Sequence, residues 1–108
     1  MCGILALLEL SEDAHKLRRD SLALVKKLRH RGPDWSGVYS DEKAILCHER
    51  LAIVDVMSGA QPLVNAQTGA VLAVNGEIYN HVELAAQWLK KKHDFQTKSD
   101  CEVLLYLY

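Results

Sequence analysis

The chain has no excess of charge of either sign, no long apolar run, no C-x-x-C pair and no internal repeat. Thirteen Lys and Arg stand against fourteen Asp and Glu in 108 residues, a formal net charge of -1. A field so balanced draws in neither nucleic acid nor an anionic membrane. No apolar stretch approaches the ~20 residues of a membrane span. The N-terminus lacks a basic n-region and a small-residue cleavage site, and Glu9, Glu12 and Asp13 follow its short apolar stretch, so no signal peptide is expected. Cys2, Cys47 and Cys101 are odd in number and far apart, which argues against a structural zinc site and a disulfide framework. What is present is core-forming material: 49% of residues are hydrophobic. At this length the expectation is one soluble, cytoplasmic domain without low-complexity tracts or linkers.

Gly3 to Leu10 is nearly all apolar and reads as a strand buried on both faces. Ser11 is the expected N-cap of a helix whose apolar positions Ala14, Leu17, Leu24, Val25 and Leu28 recur at helical spacing; Lys26 to Arg31 close it and Gly32-Pro33 stops it. Trp35 to Tyr39 and Ala44 to Cys47 form a hairpin pattern, and Leu51 to Val56 is a further strand candidate. Gln61 to Val64 and Ala70 to Val74 make a second strand pair. A helix capped by Asn80, with Glu83 as its box partner, presents Val82, Ala85, Ala86, Trp88 and Leu89 and closes at Lys90 to Lys92. Ser99 and Glu102 form another capping box before an apolar helix that reaches Tyr108 without a C-cap. Such an ending predicts an excerpt from a longer protein.

Five features carry candidate chemistry. Cys2 follows the initiator Met1, so removal of Met1 would put a thiol and a free α-amine on one residue. An α-amine of pKa ~7.7–8.0 can serve as the base for that thiol; the alternative is a strand cysteine. Arg29 to Trp35 reads as a helix end and a turn, although His30 and Asp34 could complete a triad with Cys2. Asn75-Gly76 is either a type I′ hairpin turn or a pair of donors, one amide side chain and one N–H, aimed at an oxyanion. Arg50 can grip a carboxylate or pair with a neighbouring acid. Asp100 can offset a helix dipole or bind a ligand ammonium.

Taken together these features resemble a family. Met1-Cys2-Gly3-Ile4, RHRGPDWSG from Arg29, HERLAIVD from His48, Gln61-Pro62-Leu63, VNGEIYNH from Val74 and Ser99-Asp100-Cys101-Glu102 resemble, in order, the glutaminase domain of glutamine-dependent asparagine synthetases. The resemblance implies an α+β fold, the αββα sandwich of N-terminal-nucleophile hydrolases, with residues 1–108 as the N-terminal portion of a class II glutamine amidotransferase domain. It implies Cys2 as the nucleophile and Asn75 and Gly76 as oxyanion donors. It also implies Arg50 on the glutamine α-carboxylate, Glu77 and Asp100 near its α-ammonium, and Leu51, Ile53 and Val54 along the pocket wall. The implied partners are glutamine and a C-terminal synthetase domain of the same parent chain, and a homodimer is compatible with the family. No metal or cofactor is implied for this portion; Mg-ATP belongs to the synthetase domain, which converts aspartate to asparagine.

The chain is shorter than the family's glutaminase domain, and the synthetase domain is absent. Rival readings are another class II amidotransferase with a different acceptor, such as a sugar phosphate, and a non-catalytic binding domain of the same fold. Metal binding by Cys47, His48 and Cys101 is disfavoured, because adjacent strand residues point to opposite faces.

Overall fold

The computed structural model describes residues 1–52, 59–88 and 95–108. The expected strand residues Ile53 to Val56 and the closing Lys90 to Lys92 lie outside them. The described residues mix helix with antiparallel sheet. Three strands, β1 (Gly3–Leu8), β2 (Trp35–Ser40) and β3 (Ala44–Arg50), form a sheet in the order β1-β3-β2. β3 is central: Gly3 pairs with Glu49 on one side and Ser36 with Glu49 on the other.

Helix α1 (Ala14–Val25) covers one face of this sheet. Val25, Ile45 and Cys47 form a buried cluster, ringed by Leu5, Leu7, Leu10, Leu17, Leu28 and Val38. Full burial of a Val or Ile side chain contributes about 1.5–3 kcal/mol. β1 is not buried on both faces as expected. It alternates, with Leu5 and Leu7 inward while Ile4 and Leu8 are 36% and 68% exposed, because it is an edge strand of an antiparallel sheet with helix on one side.

The α1 boundaries also differ from expectation. Glu9 takes a positive φ and Leu10 N–H reaches Lys43 O, so the chain is still tied to the sheet at Leu10. The cap is therefore Asp13 rather than Ser11, its Oδ1 accepting from Lys16 N–H at 2.9 Å. At the far end the α-helix tightens at Val25 into a 3₁₀ turn, Lys26–Leu28, before Gly32. Gly32 lies flat on β3: a Cβ there would sit 2.1 Å from Glu49 O.

The β2–β3 hairpin forms as expected, closed by Asp41, whose Oδ1 accepts from Lys43 N–H and Ala44 N–H at 2.7 Å. The second strand pair is also present but shorter, β4 (Leu63–Val64) with β5 (Val71–Leu72). Asn65 organises its loop, accepting from Gln67 N–H and Thr68 N–H, and its Nδ2 donates to Leu105 O at 3.3 Å.

Helix α2 (His81–Trp88) starts directly after Asn80, whose carbonyl accepts from Leu84 N–H at 3.0 Å. Of its expected apolar face Val82 is 68% exposed and Ala86 is exposed, Ala85 is half-buried beside Leu84, and Leu89 lies outside the described residues. The chain closes with a 3₁₀ turn, Asp100–Val103, leading into α3 (Leu104–Leu107). Ser99 caps this turn, accepting from Cys101 N–H at 3.3 Å. Glu102 does not complete the expected box. Its carboxylate reaches further back, to Gln96 N–H (2.6 Å), Thr97 N–H (2.7 Å) and the Thr97 hydroxyl, because Ser99 N–H already donates to Thr97 Oγ1.

Candidate active site

Cys2 sits just ahead of β1, whose first residue pairs with Glu49 on β3. That register brings Cys2 beside Leu51, immediately after β3. Leu51 N–H donates to Cys2 Sγ at 3.3 Å, and the thiol in turn faces Leu51 O at 3.8 Å. Arg31, held by the Gly32 approach to β3, donates from Nε to Cys2 O at 3.2 Å. On the other side Cys2 N–H donates to Asn75 Oδ1 at 3.0 Å. With Oδ1 turned to Cys2, the Asn75 amino group is turned away from it, as the two ends of a planar amide must be.

Asn75-Gly76 is not a type I′ turn. That turn needs positive φ at both positions, yet among the described residues positive φ occurs only at Glu9, Gly59 and Gly69. β5 ends at Leu72, and residues 73–80 run as an irregular loop into α2. Two contacts clasp this loop from the turn that opens on Asp100. Asp100 Oδ2 accepts from Ile78 N–H at 2.5 Å, and Cys101 Sγ donates to Gly76 O at 3.6 Å. A Cβ built on Gly76 would meet nothing within 4 Å, so the space in front of that residue is open.

The open space belongs to a pocket of about 270 Å³. Of the nine residues expected in a site, seven line it: Cys2, Asn75 and Gly76, with Arg50, Leu51, Glu77 and Asp100. Ile53 and Val54 lie outside the described residues. The Arg50 residue is only 7% exposed, at the end of central strand β3, whereas Glu77 is exposed at the rim. The pocket thus has a cationic wall from Arg50, an anionic one from Asp100 and Glu77, and a thiol on its floor. A zwitterion such as a free amino acid needs that distribution of charge.

The three thiols differ in what they can do. Burial, with the Asp100 carboxylate next in weight, pushes Cys101 up to about 11, and burial likewise raises Cys47. Both are held as thiols near neutral pH, and both are buried. Cys2 and Cys101 both line the pocket, but of the three thiols only Cys2 is half-exposed. His30 and Asp34 are engaged elsewhere: the His30 ring contacts Lys27 O at 3.0 Å, and Asp34 Oδ2 accepts from Ala52 N–H at 2.8 Å. Among the described residues no group of three or more His, Cys, Asp and Glu is gathered as a metal site.

A family profile described as a glutamine amidotransferase domain matches residues 1–108, the whole chain. The chain belongs to that family. It is 56% identical over 108 residues to asparagine synthetase B [glutamine-hydrolyzing] of Escherichia coli, covering 100% of this chain and 19% of that protein. It is 58% identical over 108 residues to a probable asparagine synthetase [glutamine-hydrolyzing] of Schizosaccharomyces pombe, again over 100% of this chain and 19% of the relative. A probable asparagine synthetase [glutamine-hydrolyzing] of Dictyostelium discoideum is 55% identical over 109 residues, with 100% and 20% covered. The chain therefore spans about a fifth of the length of these relatives.

Several residues of this pocket escape single-residue reasoning on the sequence. Arg31 reads as one more cation at a helix end, yet it is the residue that reaches the Cys2 carbonyl. Gln61 and Tyr79 line the pocket, as do Ser99 and Cys101. Gln61 arrives there because Gly37, on β2, has no side chain: a Cβ at Gly37 would sit 1.7 Å from Gln61 O. The available signal was the pairing of a strand glycine with a Gln-Pro segment two dozen residues on, which no periodicity rule connects.

Proposed function

We propose that this chain is the N-terminal portion of a glutaminase domain that hydrolyses glutamine to glutamate and ammonia through a thioester on Cys2. The observation that carries the reading is the meeting of the half-exposed Cys2 thiol, the Asn75 side chain on the Cys2 nitrogen, and the Arg50 and Asp100 walls in one pocket. Met1 lines the same pocket, so its removal both frees the α-amine and clears the entrance.

The steps follow from the groups present. Arg50 takes the glutamine α-carboxylate, and Asp100 and Glu77 take the α-ammonium, with Leu51, Ile53 and Val54 along the wall. Cys2 Sγ adds to the side-chain amide carbon while its proton passes to the α-amine. The oxygen of that carbonyl becomes the oxyanion, bonded by the Asn75 amino group and Gly76 N–H. Collapse expels the amide nitrogen, which takes the proton from the α-amine and leaves as ammonia. Water then adds to the thioester, its proton going to the amine, and glutamate departs as the thiol regains a proton.

The fold that goes with this chemistry is the αββα sandwich. Its support is the face of the three-stranded sheet opposite α1, where His48 is buried under the 61–74 segment while Ile4 and Leu8 are exposed among the described residues. In the whole protein we assign the ammonia to a C-terminal synthetase domain that uses Mg-ATP to make asparagine from aspartate. The names of the relatives support that acceptor over a sugar phosphate. Among the described residues no helix is long and apolar enough to cross a membrane, and all three cysteines are free, which suits a cytoplasmic enzyme.

Intact-protein mass spectrometry of the full-length protein, with and without the glutamine-like electrophile diazo-oxo-norleucine, tests the reading. Loss of Met1 and one adduct mapped to Cys2 is the expected result. A retained Met1, or an adduct on Cys47 or Cys101 instead, would favour a non-catalytic binding domain.

A further inference from the structure

Resting on that reading of the site, we propose that His48 is a positioning residue for the glutaminase reaction: with Gln61 it pins Val74, and so holds Asn75 against the Cys2 nitrogen. The problem the pair solves is local. β5 leaves its ladder with β4 at Leu72, so among the described residues the backbone that delivers Asn75 has no strand pairing to fix it. Both polar groups of Val74 are held by side chains instead. Gln61 Oε1 accepts from Val74 N–H at 2.7 Å, and His48 Nε2 meets Val74 O at 2.9 Å. Asn75 is the next residue, one Cα step of ~3.8 Å away, so a shift of Val74 passes directly to the side chain bonded to Cys2.

The two clamps are built into the sheet. His48 lies on β3, opposite Ile4 and Gly37 in the ladder and two residues before Arg50, on the same face of the strand. Gly37 is the residue whose missing side chain admits the Gln61 backbone. One strand therefore sets the position of the guanidinium on the pocket wall and of the carbonyl that precedes Asn75.

The state of the ring supports a role beyond filling space. His48 is 0% exposed, and among the described residues its buried Nδ1 has no hydrogen-bond partner. A buried, unsatisfied polar atom costs about 1–3 kcal/mol, which an aliphatic side chain of similar size would avoid. Since Val74 O can only accept, Nε2 carries the proton and Nδ1 is the bare nitrogen. Burial pushes the ring below the ordinary histidine value; the Val74 hydrogen bond works against it, the Arg50 charge adds to it, and the net effect favours this neutral form.

The test uses the full-length protein with His48→Leu, which removes the donor, and His48→Gln, whose amide N–H reaches a similar distance. His48→Leu should lower kcat for glutamine hydrolysis on the order of 10- to 100-fold, the scale of a misplaced catalytic group, with little change in the glutamine KM. His48→Gln should recover most of that loss. Amide hydrogen exchange over residues 74–77, measured without substrate, should quicken in His48→Leu and stay near wild type in His48→Gln. Gln61→Leu removes the second clamp and carries the same expectations should His48→Leu not fold. Unchanged kcat and exchange in the Leu variants would overturn the proposal. So would a Gln variant as impaired as Leu, with activity and stability falling together, since that pattern is packing alone. A wild-type protein that fails to hydrolyse glutamine would instead defeat the proposed function, and the exchange measurement would still decide the positioning role.

Discussion

The sheet with its helix and the loops that face it are held together by different physics. In the sheet, β3 is paired along both edges and α1 seals Ile45 and Cys47 beneath it, so position is set by many backbone bonds and by apolar burial. Across the pocket, β4 and β5 pair over two residues each, and the segments at 73–80 and 95–103 are fixed by side chains gripping backbone. Asn65 grips Leu105, Gln61 and His48 grip Val74, Asp100 grips Ile78, and Glu102 grips Gln96 and Thr97. Cys2, Leu51 and Arg50 come from the first construction; Asn75, Gly76, Glu77 and Asp100 come from the second. Cys2 and the cationic wall thus sit on a redundant scaffold, while Asn75-Gly76 and the anionic wall each hang, among the described residues, on a few polar contacts.

The largest effect that tests this contrast is on turnover. Asn75→Ala should lower kcat for glutamine by roughly 10²–10³, equal to about 2.7–4 kcal/mol, if its amino group meets the oxyanion. A change confined to KM would remove Asn75 from that role and leave it as a tether for the Cys2 nitrogen. Next comes a pair of substitutions, one in each construction. Ile45→Ala should cost about 2–5 kcal/mol of stability, read by denaturant unfolding, while the folded fraction keeps its glutamine KM. Glu102→Gln should cost less stability, about 1–3 kcal/mol, because one acceptor oxygen remains. Yet it should raise the glutamine KM, since the carboxylate orders the 96–99 segment that leads into Asp100. If Ile45→Ala moved KM as much as Glu102→Gln did, the division into two constructions would fail.

The same division explains what could be read from the residues. The sheet half was legible. Helical spacing from Ala14, the turn acids at Asp41 and Glu42, and the apolar pieces on either side of them obey short-range rules, and the structure follows them with shifted ends. Those shifts have local causes, such as the positive φ at Glu9 that moves the cap of α1 from Ser11 to Asp13. In the loop half, the residues that converge are Gly37 with Gln61, His48 with Val74, and Glu102 with Gln96. No local rule links them, because side chain-to-backbone bonds leave no period in a sequence. Asn75-Gly76 illustrates the limit: local chemistry alone favoured a hairpin turn, and only the ordered set of motifs, from Cys2 to Glu102, pointed to a site.

The smallest expected effect concerns Cys101, whose thiol grips Gly76 O by a long, weak contact. Burial, and then Asp100, disfavour its thiolate and push it from an ordinary value of 9.0 up to about 11. A group shifted in this direction supports the fold fully below its unfolded value and ceases to do so as the pH rises through the folded one. Stability should therefore decline between pH 9 and pH 11, and part of that decline should vanish in Cys101→Ala. At pH 8 the same burial predicts that a thiol reagent modifies Cys2 in the native protein and reaches Cys47 and Cys101 only on unfolding. Rapid native modification of Cys101 would mean that the clasp on the Gly76 loop opens readily. The loops would then be looser, relative to the sheet, than their polar contacts imply, and Asn75 would depend on His48 and Gln61 more heavily still.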